Sequence, residues 1–437
     1  MTNRDEADQR YLASAEKLVA ELATHLDLDM SVRLWDQQPV PLGQNVKSDL
    51  CIAIDSPGVI ASILRRPTLD RIIRHYAHGQ IRIEQGSLID VGRQLESNGK
   101  RKSLKGLPKR RVAGHLWPFL FARADPPQQA RSFAGDAVGE ARATEDNRDF
   151  IQFHYDVGNE FYDLFLDPEM QYSCAYFTSW ENTLEQAQHD KLDMICRKLR
   201  LKPGERFLDI GCGWGGLVCH ASEHYGVEAH GITLSNAQID TARERITRRG
   251  LSDRVTVEIL DYADIDRRYD KIASIGMYEH IGIKNIESYF KTVRSALAPD
   301  GLFLNHAISR RAKRKRRVFS ARAEQRALQK YIFPGGELDD IGHTIAAMEQ
   351  AGFEVHDVEG WRMHYARTTE IWCERLMANQ REAVAIVGEE TYRIWIAYLA
   401  GCSLAFARGS ARIFQTLVSH NARGATPLPP SRADLYR

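Results

Sequence analysis

The chain has 437 residues, too many for one ordinary hydrophobic core, so two domains or one large domain with additions are expected. The 59 Lys and Arg residues balance 58 Asp and Glu, which gives no global field for nucleic acid, and no apolar run approaches the ~20 residues of a membrane span. Seven cysteines without a CxxC pair, behind a polar N-terminus unlike a signal peptide, predict reduced thiols in the cytoplasm, no disulfide frame and no metal site.

Residues 1–121 read as a small α+β module. A helix over 8–26 precedes "MSVRLWDQQPVPLG", which alternates like a strand and ends in Pro and Gly. "DLCIAIDS" alternates again, "PGVIASILRR" reads as a helix, and "GQIRIEQGSLIDVG" returns to strand alternation. Residues 122–149 are rich in Ala, Asp, Gly and Pro without apolar periodicity and read as a linker or mobile segment. Two basic blocks, "KRKSLKGLPKRR" (100–111) and "RRAKRKRRVF" (310–319), read either as solvated surface or as a surface for anionic lipid. Neither carries a base-reading motif, so nucleic acid is not an expected partner.

From 150 the pattern changes. "NTLEQAQHDKLDMICRKL" is an amphipathic helix. "RFLDIGCGWGGL", "VEAHGITLS", "VTVEIL", "YDKIASIGM" and "GLFLNHAI" then alternate with helical stretches, one of them over 285–297, which argues for a parallel, doubly wound sheet. "FEVHDVEGW" predicts a strand, "TTEIWCERLMANQ" a helix and "ARIFQTLVS" a last, antiparallel strand. Residues 421–437 read as a disordered tail.

"FLDIGCGWGG" puts Gly211, Gly213, Gly215 and Gly216 between a strand and a helix, where backbone can approach a ligand and helix N–H groups stand unpaired. A dinucleotide site would want an acid at the end of the next strand, and Thr233 and Ser235 stand there instead. A P-loop would want Gly-Lys-Ser/Thr, which is absent. S-adenosylmethionine is the remaining common ligand. Asp209 then orients the loop or takes the ammonium, Thr233, Ser235 and Gln238 face the ribose, and Asp261 accepts from the adenine amine with Tyr262 against the ring. For Asp261, a plain strand-end turn is the competing reading.

"HYDVGNEFYDLFL" (154–166), "MQYSCAYF" (170–177), "LDIGCGWGG" (208–216), "GITLSNAQ" (231–238), "GMYEHIG" (276–282), "NHAIS" (305–309) and "YIFPGGEL" (331–338) resemble the cyclopropane-fatty-acyl-phospholipid synthases and the mycolic acid cyclopropane synthases and methyltransferases. The resemblance covers roughly residues 150–420. It implies an α/β class I methyltransferase fold, Rossmann-like, with a doubly wound, mostly parallel seven-stranded sheet. The smaller N-terminal α+β domain resembles, more loosely, a lipid-binding module of some family members. The implied reaction carries a methyl from S-adenosylmethionine to a cis double bond of a phospholipid acyl chain and closes a cyclopropane ring. A fatty-acyl methyltransferase with a methyl-branched or methyl-alkene product is the alternative, and a non-catalytic lipid-binding protein is the alternative of another class.

The implied cofactor contacts are Tyr172, Ser173, Asp209, Gly211, Gly213, Gly215, Thr233, Leu234, Gln238, Asp261 and Tyr262. An active-site bicarbonate is also implied, held by Cys174, Glu279, His306, the backbone of Ile308, and Tyr365. Singly, Cys174 reads as a buried filler, His306 as a core histidine and Tyr365 as an interface aromatic; the set, each member in its motif, gives them a shared role. Tyr278 and Phe177 read as cation-stabilising rings or as packing, and His280 as a supporting residue. The expected partners are a phospholipid with an unsaturated chain, the anionic inner face of a membrane reached from the cytoplasm, and a second copy of the chain.

Overall fold

The computed structural model describes residues 3–35, 38–96, 106–126, 157–312, 330–332, 337–421, 426 and 428–436. The described residues form two compact units: residues 3–126 with Gln380–Leu404, and residues 157–312, 330–332 and 337–379 with those from Ala405 onward.

In the first unit, helix α1 (Asn3–Leu26) precedes strands β1 (Ser31–Leu34), β2 (Val40–Pro41) and β3 (Cys51–Ile54), helices α2 (Pro57–Arg65) and α3 (Leu69–Ala77), strand β4 (Ile81–Glu84), and helices α4 (Leu88–Glu96) and α5 (Lys109–Leu116). The sheet runs β2-β1-β3-β4, with β1 and β3 parallel and the other pairs antiparallel. One face is buried by Ala15, Val19, Leu34, Ala61 and Phe119. The strand expected through residue 92 stops at Glu84, because "SLID" is a helix start. Ser87 Oγ accepts from the Asp90 N–H while the Asp90 carboxylate accepts from the Ser87 N–H, a reciprocal cap that beats alternation. The expected linker also begins late: Ala122 is buried in this core and Asp125 bonds Ser56 and the Gly58 carbonyl. Residues 127–149 lie outside the described residues, as does 313–319 of the second basic block.

In the second unit, helix α6 (Asn159–Asp163) and helix α7 (Leu184–Leu199) lead into β5 (Arg206–Ile210), α8 (Gly216–Tyr225), β6 (Glu228–Thr233), α9 (Asn236–Arg248), β7 (Val255–Ile259), β8 (Tyr269–Ile275), α10 (Ile286–Ala296) and β9 (Leu297–Arg310). Then come α11 (Ile341–Gln350), β10 (Phe353–Gly360), α12 (Arg362–Ala378) and β11 (Ala411–His420); α13 (Gln380–Ala407), between the last two in the chain, belongs through Leu404 to the first unit. The sheet order is β10-β11-β9-β8-β5-β6-β7. Five neighbouring strands are parallel; β11 is antiparallel to both β9 and β10, as expected for the last strand. Strand β5 has β6 on one side and β8 on the other, so the order in which successive strands are added reverses there, and open α/β sheets hold ligands at that crevice.

Periodicity did not announce α13. It bends at Gly388 (φ 79°), and its Arg393 stacks over Tyr76 at 6.0 Å within the first unit. Nor is the tail disordered throughout. Ala433–Tyr436 is a 3-10 turn with Leu435 buried, Asp434 pairs with Arg200 at 2.9 Å, and Arg432 pairs with Asp357 at 2.9 Å. Its local composition is loop-like, and its order comes from residues more than 70 positions away.

Candidate active site

The C-terminal end of β5 builds a cleft. Gly211 (φ 83°) and Gly213 (φ 54°) turn the chain through conformations that a side chain would oppose, and beside Gly213 the space a Cβ would need is open. Arg245, buried on α9, donates to the carbonyls of Trp214, Pro168 and Glu169 and so ties the loop to the 168–171 segment. The cleft opens to solvent at its mouth.

Nine of the eleven expected cofactor residues line it: Tyr172 and Ser173; Asp209, Gly211 and Gly213; Thr233, Leu234 and Gln238; and Tyr262. The other two do different work. Gly215 caps α8, and a Cβ there would sit 3.0 Å from Ala242 Cβ, so it serves close packing of α8 on α9. Asp261 begins the 3-10 turn Tyr262–Asp264, its Oδ1 accepting the Ala263 N–H at 2.9 Å, and it does not line the cleft. Ser235 likewise caps α9, leaving Thr233 to bond Gln238 Oε1 at 2.8 Å.

Charge in the cleft is concentrated in two buried groups. Asp209 is almost fully enclosed, and its Oδ1 has no partner among the described residues. Burial pushes its carboxyl up to about 7, and Lys191 opposes that rise. Lys191, from the buried face of α7, donates to Gln171 Oε1 at 2.5 Å and Ser173 Oγ at 3.0 Å, and burial lowers it to about 8. Sequence reasoning missed it; the signal was a lysine on the apolar face of an amphipathic helix. An enclosed carboxylate oxygen with nothing to accept from, beside a tyrosine ring and a hydroxyl–amide pair, fits an amino-acid nucleoside such as S-adenosylmethionine.

A second group shares the cleft's walls. Ser173 lines the cleft and Cys174 follows it; Met277 and His280 line it and bracket Glu279. Trp361, fully buried, gathers two of the expected residues: Cys174 Sγ donates to its carbonyl at 3.8 Å, and the His306 ring meets its indole edge-on at 5.1 Å, while the Tyr365 ring packs on Phe406 at 4.6 Å. Glu279 joins them through β9, where Ile308 N–H donates to its Oε1 at 2.5 Å. Glu279 Oε2 and His306 Nε2 are buried without a partner among the described residues. The Gln415 amide donates to His306 Nδ1 at 3.3 Å, which leaves the proton on Nε2.

Two members of the expected anion-binding set are therefore engaged with protein. Ile308 N–H serves Glu279, and the Cys174 thiol serves the carbonyls of Ala175 and Trp361. Burial holds Glu279 up to about 7, Cys174 well above the usual thiol range and His306 well below the usual imidazole range. His280 is lowered to about 4, so it borders the cleft as a neutral ring. Tyr278 and Phe177 take their packing roles: the Tyr278 hydroxyl bonds Asp339 at 3.2 Å, and Phe177 stacks on His364.

Residues 142–416 match the family model described as mycolic acid cyclopropane synthetase. The chain belongs to this family. A "Probable fatty acid methyltransferase" of Pseudomonas putida is 38% identical over 94% of this chain and 97% of its own length. The cyclopropane-fatty-acyl-phospholipid synthase of Escherichia coli is 40% identical over 61% of this chain and 66% of its own. Among solved structures, the cyclopropane synthase MmaA2 from Mycobacterium tuberculosis is 33% identical with a TM-score of 0.59, over 62% of this chain and 97% of that one. A mycolic acid cyclopropane synthase, CmaA1, complexed with SAH and CTAB matches equally well. The cyclopropane synthetase family fixes this chain as an S-adenosylmethionine-dependent methyltransferase with the class I fold.

Proposed function

We propose that this methyltransferase carries a methyl group to a cis double bond of a phospholipid acyl chain and releases a cyclopropane. The observation that carries the reading is a pair of buried atoms behind the cofactor cleft, unpartnered among the described residues: a carboxylate oxygen of Glu279, next in the chain to His280 of the wall, and the His306 Nε2 on β9, whose residue pairs in register with Ile275 of the wall.

S-adenosylmethionine, when bound, supplies an electrophilic methyl on a sulfonium. Asp209 would receive its ammonium, Tyr262 its base, and Thr233 with Gln238 its ribose. Attack by the π bond forms one C–C bond, breaks the S–C bond and leaves a cation on the chain. That cation must meet no strong nucleophile. Cys174 satisfies this by staying a thiol, because burial disfavours its thiolate. A C–H bond of the new methyl then breaks, its electrons close the ring, and the proton leaves toward the Glu279 carboxylate. Bicarbonate, when bound, supplies a base of modest strength; His306 Nε2–H and Glu279 Oε2 would hold it as donor and acceptor. Tyr365, whose ring packs on Phe406 and Trp372, would complete the bicarbonate set through its hydroxyl.

A methyl-alkene or methyl-branched product is the second reading, favoured by the names of the Pseudomonas putida relative and of a Mycobacterium tuberculosis relative, 40% identical over 72% of each chain, also called a probable fatty acid methyltransferase. The methyl-alkene differs only in which C–H bond breaks; a saturated methyl branch would further need an external hydride donor, as a reduced nicotinamide supplies. Substrate reaches the enzyme, in this proposal, from the inner face of an anionic membrane, with the protein bound peripherally from the cytoplasm. No helix among the described residues is long and apolar enough to cross a membrane. On the first unit, Trp117 and Phe121 are 61% and 71% exposed, and the adjoining α5 presents Lys109, Arg110 and Arg111. Aromatic rings beside cations suit a headgroup interface.

Lipid mass spectrometry of cells expressing the protein tests the reaction. A gain of one CH₂ that survives mild hydrogenation unchanged supports the ring; a gain that then takes up two hydrogens assigns the methyl-alkene. No gain in any acyl chain defeats both.

A further inference from the structure

A cluster of imidazoles lies outside the methyl-transfer machinery. His220 and His224 are one helical turn apart on α8 and so share a face, and α7 brings His189 against them. The ring centroids are 4.5 Å apart for His220–His224, 5.1 Å for His189–His220 and 6.1 Å for His189–His224. One ring nitrogen from each lies within 4.8 Å of those of the others, the one such grouping of His, Cys, Asp or Glu among the described residues. We infer that His189, His220 and His224 form a binding site for a late first-row divalent cation such as Zn²⁺, clasping α7 to α8.

Three features carry this. His220 is buried, and its Nε2 has no partner among the described residues, an arrangement that a bound cation resolves. The outer two rings are exposed and have room to turn inward the short distance that imidazole ligation at about 2.0–2.1 Å asks. Asp190 lies 3.9 Å from His189 Nδ1 and also accepts from Thr178 and Gln186, while Asp193 is committed to the Tyr225 hydroxyl at 2.5 Å and Arg197 at 2.6 Å, and Glu223 to Arg249 at 3.1 Å. The ligand set is therefore all imidazole, with solvent at the fourth position, which selects zinc, nickel or copper over magnesium or calcium. The clasp also joins two walls of the cofactor cleft. Lys191 is two residues beyond His189 on α7, and α8 begins at the end of the glycine loop.

The test is titration of chelator-stripped full-length protein with Zn²⁺ against a chromophoric chelator, with melting temperature as a second readout. His189→Gln and His224→Gln replace exposed side chains and spare the core. One Zn²⁺ per chain at micromolar Kd or tighter, a rise in Tm, and weakening by roughly 30-fold in either variant are expected. Millimolar binding, tight binding that both variants keep, or displacement by equimolar Mg²⁺ would overturn the site.

Discussion

The backbone N–H of Ile308 on β9 donates to Oε1 of Glu279, at the turn after β8, at 2.5 Å. Glu279 is thereby held by one oxygen with the other directed into a buried space, and it is fixed by a main-chain donor that no side-chain substitution at 308 removes. The carboxylate is positioned before any substrate arrives.

Glu279→Gln keeps this geometry, because an amide oxygen also accepts from Ile308, but removes the proton acceptor. Turnover should fall by roughly 10²- to 10⁴-fold, with S-adenosylhomocysteine affinity by calorimetry unchanged. A variant as active as the parent would remove Glu279 from the chemistry.

The same carboxyl gives a pH prediction. Its folded value, about 7, lies above its ordinary 4.5, so between those values the folded state holds a proton that the unfolded state has released. The associated stability is complete below pH 4.5 and disappears as pH rises through 7. Activity should run the other way, rising through pH 7 as the acceptor ionises. Glu279→Gln should abolish this stability slope, read from Tm at successive pH values.

Lys191 and Asp209 predict a cofactor effect. Lys191→Met leaves Asp209 buried without its cation, so its pKa moves higher and less of it is ionised at pH 7. S-adenosylmethionine Kd at pH 7 should weaken by about tenfold or more, and recover partly at pH 9. A weakening that is the same at every pH would mean that Lys191 acts only through Ser173 and Gln171.

Much of this was legible in the sequence, for a physical reason. The glycines between β5 and α8 are required by backbone turns that the chemistry of the site imposes, and parallel strands buried on both faces show as apolar runs such as "KIASI". What was hidden lies in contacts without a local pattern. Asp261 and Tyr262 are neighbours with opposite fates, one capping a turn and one lining the cleft, and only the rotation of that turn decides. Arg245 and Lys191 sit on helices whose other residues explain them as ordinary amphipathic elements. The tail's Leu435 is buried against partners distant in sequence.

Asp261 supplies a direct check of that distinction. Asp261→Ala should lower stability by about 1 kcal/mol, the usual value of an N-terminal cap, with S-adenosylmethionine affinity within about threefold of the parent. Tyr262→Ala, by contrast, should weaken the cofactor strongly. If Asp261→Ala lost the cofactor while keeping its Tm, the carboxylate would be a ligand after all.

The membrane prediction separates apolar from electrostatic binding. Replacing Trp117 and Phe121 by Ser removes two rings that are already exposed, so folding is spared, and partitioning onto anionic liposomes should fall at every salt concentration. Reversing Arg110 to Glu should instead weaken binding most at low salt, where exposed charges act over about 10 Å or more, and the difference should shrink as salt rises. The two variants therefore have different salt slopes in a sedimentation assay. Equal affinity of the parent for neutral and anionic vesicles, with both variants binding like it, would place the lipid-facing surface elsewhere on the chain.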